Sequence, residues 1–148
     1  MKTAVVALTR NGAELALTIG AGLNAHVYIN EQQQLKHDQV KTYYFSGNMM
    51  LLVQKIFPSY EGLVFIMACG IVVRSIAPFL ADKTKDPAVA VGDEKGRHVI
   101  SLLSGHLGGV NLLASEVAAV TGGTPVITTA TDINHVIAFD VFARDNDC

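Results

Sequence analysis

Leu63-Val-Phe-Ile-Met67 offers no polar residue on either of its alternating faces, and Ala68-Cys69-Gly70 closes it. A strand shows successive side chains to opposite sides. A five-residue apolar run can therefore be a strand only where both sides are covered, as at the centre of a parallel sheet with helices above and below it. The wider apolar stretch, Gly62 to Val73, is 12 residues long and ends at Arg74, well short of the ~20 residues that span a bilayer. It implies an α/β protein and excludes a membrane span there.

The rest of the chain supplies the helices such a strand needs. Residues 3 to 8 form a β-rich run, and Ala13 to Gly22 carries Leu15, Ile19 and Leu23 at helical spacing, an opening β-α unit. Ala25 to Ile29 reads as a second strand. Asn30 to Lys41 reads as a polar surface loop in which His37 and Asp38, being adjacent, diverge rather than converge on a metal. Ser46 is placed to cap a helix that carries Met49, Leu52, Val53 and Ile56 on one stripe and ends at Pro58. Ile71 to Ala77 reads as a helix stopped by Pro78.

Ala88 to Val91 and His98 to Leu103 flank the turn Gly92-Asp-Glu-Lys-Gly96, which predicts an antiparallel hairpin. Asn111 to Val120 continues as a helix ended by Gly122-Gly123, and Pro125 to Thr128 reads as the last strand. His135 to Arg144 is weakly helical in pattern. The fold expected is α/β, with a mostly parallel sheet, helices on both faces in a three-layer, Rossmann-like arrangement, and one antiparallel hairpin. The first 60 residues could form a small α/β lobe of their own.

A length of 148 residues suits one domain with a sizeable core. A net charge of -2 leaves no concentrated basic face for nucleic acid. Cys69 and Cys148 form neither a disulfide framework nor a C-x-x-C zinc pair, so no metal site is expected and a reducing cytoplasm is the default compartment.

The stretch richest in chemistry runs from Val99 to Ala114. An apolar strand breaks into Ser104-Gly-His-Leu-Gly-Gly109 and resumes as a helix. Glycines at 105, 108 and 109 let a backbone turn sharply or approach a ligand closely. The first amides of the following helix lack intrahelical partners and attract a carboxylate or phosphate. His106 at the apex is the one residue there that titrates near neutrality. The plainer reading is a tight β-α connection with a surface histidine. In open α/β sheets ligands bind at the carboxyl ends of parallel strands, so the turns at Cys69-Gly70, Ser104 to Gly109 and Thr128 to Asp132 are expected to gather on one edge.

Several segments together resemble one family. Gly70-Ile-Val-Val-Arg74, Ala77-Pro-Phe-Leu80, Asp82-Lys83, Asp86-Pro-Ala-Val89, Asp93-Glu94, Val99 to His106, Gly108-Gly109, Asn111 and Pro125 to Asp132 resemble the N-terminal domain of the cobalt-precorrin-5A hydrolases of anaerobic cobalamin biosynthesis. The likeness is dense from about Leu63 to Asp132. It divides the chain into the N-terminal α/β domain, residues 1–134, and the start of a linker to a downstream domain, residues 135–148.

The resemblance implies a reaction on a cobalt-bearing tetrapyrrole, whose δ-lactone is opened and whose two-carbon unit leaves as acetaldehyde. The cobalt belongs to the substrate, and no resident cofactor is implied. The implied partners are that substrate, other enzymes of cobalamin synthesis and a downstream domain, with no nucleic acid and no membrane. His106 is then the candidate general acid or base, with Asp132 orienting it or the water. Ser104 is the alternative nucleophile. Gly70, Arg74, Gly105, Gly108, Gly109, Asn111, Thr129 and Thr131 are the candidate substrate-binding residues, Arg74 as a carboxylate clamp. The competing readings are an ion pair of Arg74 with Asp82 or Asp86, and a helix N-cap for Asp132. A non-catalytic tetrapyrrole-binding module, or a structural partner in a biosynthetic complex, is the alternative function.

Overall fold

The computed structural model describes residues 1–104 and 109–129. Its strands are β1 (Thr3–Ala7), β2 (His26–Asn30), β3 (Thr42–Phe45), β4 (Gly62–Ile66), β5 (Ala88–Gly92), β6 (His98–Leu103) and β7 (Thr124–Val126). Helices α1 (Arg10–Leu23), α2 (Met49–Ile56), α3 (Cys69–Ile76) and α4 (Val110–Thr121) lie between them, with β2 and β3, and β5 and β6, following each other without a helix. All seven strands join one sheet in the order β3-β2-β1-β4-β5-β6-β7.

The apolar run is where its chemistry requires. Every residue of β4 is buried, and β4 lies between β1 and β5, parallel to both. One apolar layer joins Ala13, Ala16 and Ile19 of α1 and Leu113 and Val117 of α4 to Val5 and Val64. The other joins Leu52, Val53 and Ile56 of α2 and Val72 and Ile76 of α3 to Val6 and Phe65. The sheet is therefore sandwiched between α1 with α4 and α2 with α3. Because β1 to β3 belong to the same sheet as β4, the first 60 residues form no separate lobe.

Local chemistry sets the boundaries. Thr9 caps α1 by accepting from the amide of Gly12 at 3.0 Å, and Asn24 ends it in the left-handed conformation. Asn48, rather than Ser46, caps α2 by accepting from the amide of Leu51 at 3.2 Å. Pro78 allows only the short 3-10 turn Ala77–Phe79 after α3. Gly122, at φ +77°, ends α4.

Strand β3 is an addition to the sequence reading. Its Thr-Tyr-Tyr-Phe run has high β propensity, and Tyr43 stacks on Tyr28 of β2 with ring centroids 4.9 Å apart. The β5-β6 pair is antiparallel, as the turn chemistry predicts, while β6 and β7 run parallel to each other. Strands β6 and β7 thus oppose the direction of β1 to β5. That reversal decides where every candidate residue lies.

Candidate active site

Gly92 of β5 pairs with Ile66 at the end of β4 and with Val99 near the start of β6, whereas Val89 pairs with Leu103 at the end of β6. Gly70 therefore follows a strand that ends beside Gly92, and Ser104 follows one that ends beside Val89. The two turns sit on opposite edges of the sheet, about 16 Å apart, the length of a five-residue parallel strand. The expected gathering of all three turns on one edge does not occur. Since β7 runs with β6, its exit toward Thr129 joins Ser104 on the edge where β1, β4 and β5 begin.

On that amino edge the structure brings together Ser104, Gly109, Asn111 and Thr129. Asn111, in the first turn of α4, donates from Nδ2 to Thr129 Oγ1 at 3.3 Å and accepts through Oδ1 from the hydroxyl of Ser101 on β6. One side chain thus ties β6, α4 and the exit of β7. Ser101 carried no signal in the sequence beyond its place in an apolar strand.

The amide of Val110 donates to the carbonyl of Ser104 at 3.2 Å, closing the turn at its base. Both end residues have unusual backbones: Ser104 has φ +64° and Gly109 φ +82°. The left-handed region costs an L-residue roughly 1–2 kcal/mol, so glycine suits position 109 and Ser104 stores strain. Ser104 Oγ donates to the carbonyl of Asp86 at 3.4 Å, anchoring the turn to the segment before β5. A cavity of about 220 Å³ lies beside Gly109, lined also by Met1, Thr3, Leu23, Leu112 and Glu116. Gly105, His106, Gly108, Thr131 and Asp132 lie outside the described residues.

Gly70 and Arg74 lie on the carboxyl edge. Arg74 Nη1 is 3.3 Å from where a Cβ on Gly70 would stand, so the guanidinium folds back along α3 toward its first turn, as helical side chains do. The competing ion pairs do not form. Asp82 accepts from the amide and hydroxyl of Thr84, which hold its carboxyl below the usual range, and Asp86 accepts from the amide of Ala81. Arg74 makes no ion pair among the described residues. It is separated from Ser104 and Gly109 by the length of the sheet.

Among the described residues no three His, Cys, Asp or Glu side chains converge as metal ligands. His37 Nδ1 accepts from the amide of Gln39 at 3.1 Å, a local turn contact. Among the described residues no helix is long and apolar enough to cross a membrane.

The turn flanked by Ser104 and Asn111 falls inside a family signature, since residues 51–132 match the family described as cobalamin synthesis G, N-terminal. The chain belongs to that family. It is 44% identical over 143 residues to a Priestia megaterium protein named cobalt-precorrin-5A hydrolase, covering 95% of this chain and 38% of that one. A protein of the same name from Salmonella typhimurium is 44% identical over 140 residues, covering 95% and 39%. A solved structure described as a cobalamin biosynthesis protein G homologue from Sulfolobus solfataricus superposes with a TM-score of 0.66 at 26% identity, covering 86% of this chain and 36% of that one. The chain thus spans about two fifths of the length of the curated relatives it matches.

Proposed function

We propose that this chain is the N-terminal α/β part of a cobalt-precorrin-5A hydrolase of cobalamin biosynthesis, working in the cytoplasm. The observation that carries the reading is 44% identity across nearly the whole chain to two proteins of that name. The amino-edge cluster supports it, because a strained, anchored turn beside a cavity suits a reacting site.

Opening a δ-lactone adds water across the acyl C–O bond. His106 takes a proton from the attacking water, and the amides of Gly108 and Gly109 receive the developing oxyanion. Collapse of the tetrahedral adduct breaks the C–O bond, leaving a carboxylate and a secondary alcohol on the macrocycle. Loss of the alcohol proton then breaks the adjoining C–C bond. Acetaldehyde leaves, the electron pair stays on the conjugated ring, and a proton returns there to give cobalt-precorrin-5B. His106 suits both proton transfers. Asp132 and Thr131 orient it or the water, and Asn111 and Thr129 hold the walls of the site, with Gly105 giving the turn its freedom.

Cobalt enters with the substrate, and the chemistry asks for no resident metal or cofactor. The alternative reading is a non-catalytic tetrapyrrole-holding module, with the chemistry done by another domain or a partner enzyme.

The test is acetaldehyde release from the lactone substrate by the longest native protein containing this chain, with and without His106→Ala. A loss of about 10²–10⁴ in rate with the fold intact is expected. Turnover at the parent rate would remove His106 from the chemistry and leave the binding module.

A further inference from the structure

We infer that the carboxyl edge carries a second binding site, distinct from the 104–109 turn, for the carboxylate arms and apolar face of a tetrapyrrole. The site is the cavity between the start of α3 and the β5-β6 turn. The choice of a tetrapyrrole rests on the proposed function; the cavity and its charge do not.

The cavity measures about 590 Å³, within the range of small-molecule sites. Its floor is apolar: Met67, Val91, Ile100 and Val126 line it, with Cys69 at the wall. Helix α3 covers β4 and β5 on this side, while α4 covers β6 and β7 on the other, so Ile100 and Val126 remain only half-buried. A flat apolar ring has a surface to lie on there.

The rim sets two cations, Lys95 and Arg97, against the one carboxylate of Asp93, and its acids face neutral partners. Asp93 accepts from the amide of Lys95 at 2.9 Å, of Arg97 at 3.3 Å and of His98 at 2.8 Å. Burial pushes its carboxyl up, but these amides outweigh burial and hold it below the usual range. Glu94 turns away and accepts from Thr9 Oγ1 at 3.1 Å and Asn11 Nδ2 at 3.2 Å, at the head of α1. Both carboxylates of the turn are thus engaged by neutral donors. Lys95 and Arg97, both exposed, make no ion pair among the described residues, and His98 approaches Asp93 only at 4.0 Å.

The rim is also fixed in place. Thr121 Oγ1 donates to the carbonyl of Gly96 at 2.7 Å, and the amide of Thr124 donates to the carbonyl of Arg97 at 2.8 Å. Two cations over an apolar floor complement a ring bearing several carboxylates better than they do a neutral apolar ligand or an inorganic anion.

The experiment uses the longest native protein containing this chain and uroporphyrin, a metal-free ring with eight carboxylates, titrated by fluorescence at about 50 mM and about 300 mM salt. Binding that weakens with salt is expected. Lys95→Glu with Arg97→Glu should weaken it about tenfold to hundredfold. Lys36→Glu with Lys55→Glu, which changes net charge equally at exposed positions elsewhere, should leave it unchanged. Val126→Trp, filling the floor, should weaken it as the rim variant does.

No uroporphyrin binding by the parent, or equal losses in both charge-reversed pairs, would overturn the inference. So would parent-like binding by the rim variant. Acetaldehyde release is read separately. A protein that binds through Lys95 and Arg97 but releases none refutes the proposed reaction and keeps this site, while one that releases acetaldehyde with the rim variant binding normally does the reverse.

Discussion

The two edges of this sheet are built from the same materials and differ in what holds them. On the amino edge, Asn111 joins Ser101 to Thr129, and Ser104 accepts backbone strain to start a turn closed through the amide of Val110. Polar side chains organise that edge. On the carboxyl edge, backbone amides hold the ionised Asp93 carboxylate beside an apolar cavity that Lys95 and Arg97 also line. The amino edge is arranged for directed hydrogen bonds and proton transfer. The carboxyl edge is arranged for charge and apolar contact. The difference arises from one antiparallel pair: had β6 run parallel to β5, both sets of residues would have exited on the same side.

The carboxyl edge should break most severely at Gly123. A Cβ there would stand 2.0 Å from the carbonyl oxygen of Gly96 and 2.8 Å from that of Arg97, both backbone atoms that cannot rotate away. Gly123→Ala should cost about 1–3 kcal/mol. For a domain of this size thermal unfolding should fall by about 2–4 °C for each kcal/mol. Uroporphyrin binding should fall with it, because the Thr124-Arg97 bond carries the rim. An unchanged Tm would mean that the turn is free to shift and that the rim is not fixed.

The amino edge should break at Asn111. Asn111→Ala removes the link among β6, α4 and the exit of β7, a loss of about 1–2 kcal/mol for hydrogen bonds that are partly buried. Acetaldehyde release should fall while uroporphyrin binding stays at the parent value. If both readouts fell together, the two edges would not be independent.

Much of this architecture was legible in the residues. Leu63 to Met67 reads as a central strand, found at Gly62–Ile66, and the turn at 92–96 reads as a hairpin, because apolar runs and turn chemistry act locally. Strand β3 escaped because Thr42 to Phe45 is short and follows a polar loop, and its partner Tyr28 is distant in sequence. The division of the candidate residues between two edges escaped for a different reason. Strand direction is a property of pairing, and nothing within Ser104 to Gly109 or Gly70 to Arg74 reports which way the neighbouring strand runs. The hairpin contained the answer, since a reversal at β6 carries the next turn to the opposite edge. Lys95, Arg97 and His98 read as hairpin-turn charge until Asp93 is seen to be occupied by their own amides.

Strain at the mouth of the amino-edge turn should register next. Ser104→Gly relieves a left-handed backbone and, among the described residues, gives up only the 3.4 Å hydroxyl bond to Asp86. Its stability should stay within about 1 kcal/mol of the parent, with either sign. If the strain belongs to the site, turnover should drop by more than stability accounts for. A variant with parent turnover would confine Ser104 to connecting the chain.

The smallest effect separates the edges by pH. His26, at the start of β2, shares a chain of hydrogen bonds in which its Nδ1 meets Tyr60 OH at 2.8 Å and Tyr60 OH meets Tyr28 OH at 2.8 Å. Burial, and then the charges of Lys41 and Lys2, hold the His26 pKa below 6.5, while burial and the Tyr28 contact push Tyr60 up, so the phenol stays protonated. With His26 neutral, Nδ1 can accept from Tyr60; a proton on Nδ1 forces the chain to reverse. The unfolded chain binds that proton more readily than the folded one, so folding stability rises with pH across the interval between the two pKa values. It is intact above about pH 6.5 and declines as pH falls through the lowered folded value. His26→Gln keeps an acceptor for Tyr60 and cannot titrate. The parent's Tm should therefore fall more than the variant's between about pH 7.5 and about pH 5.5, and parallel falls would show that His26 is not the group sensing the proton. His26 does not line the carboxyl-edge cavity, so at any one pH uroporphyrin affinity should be the same in His26→Gln and parent.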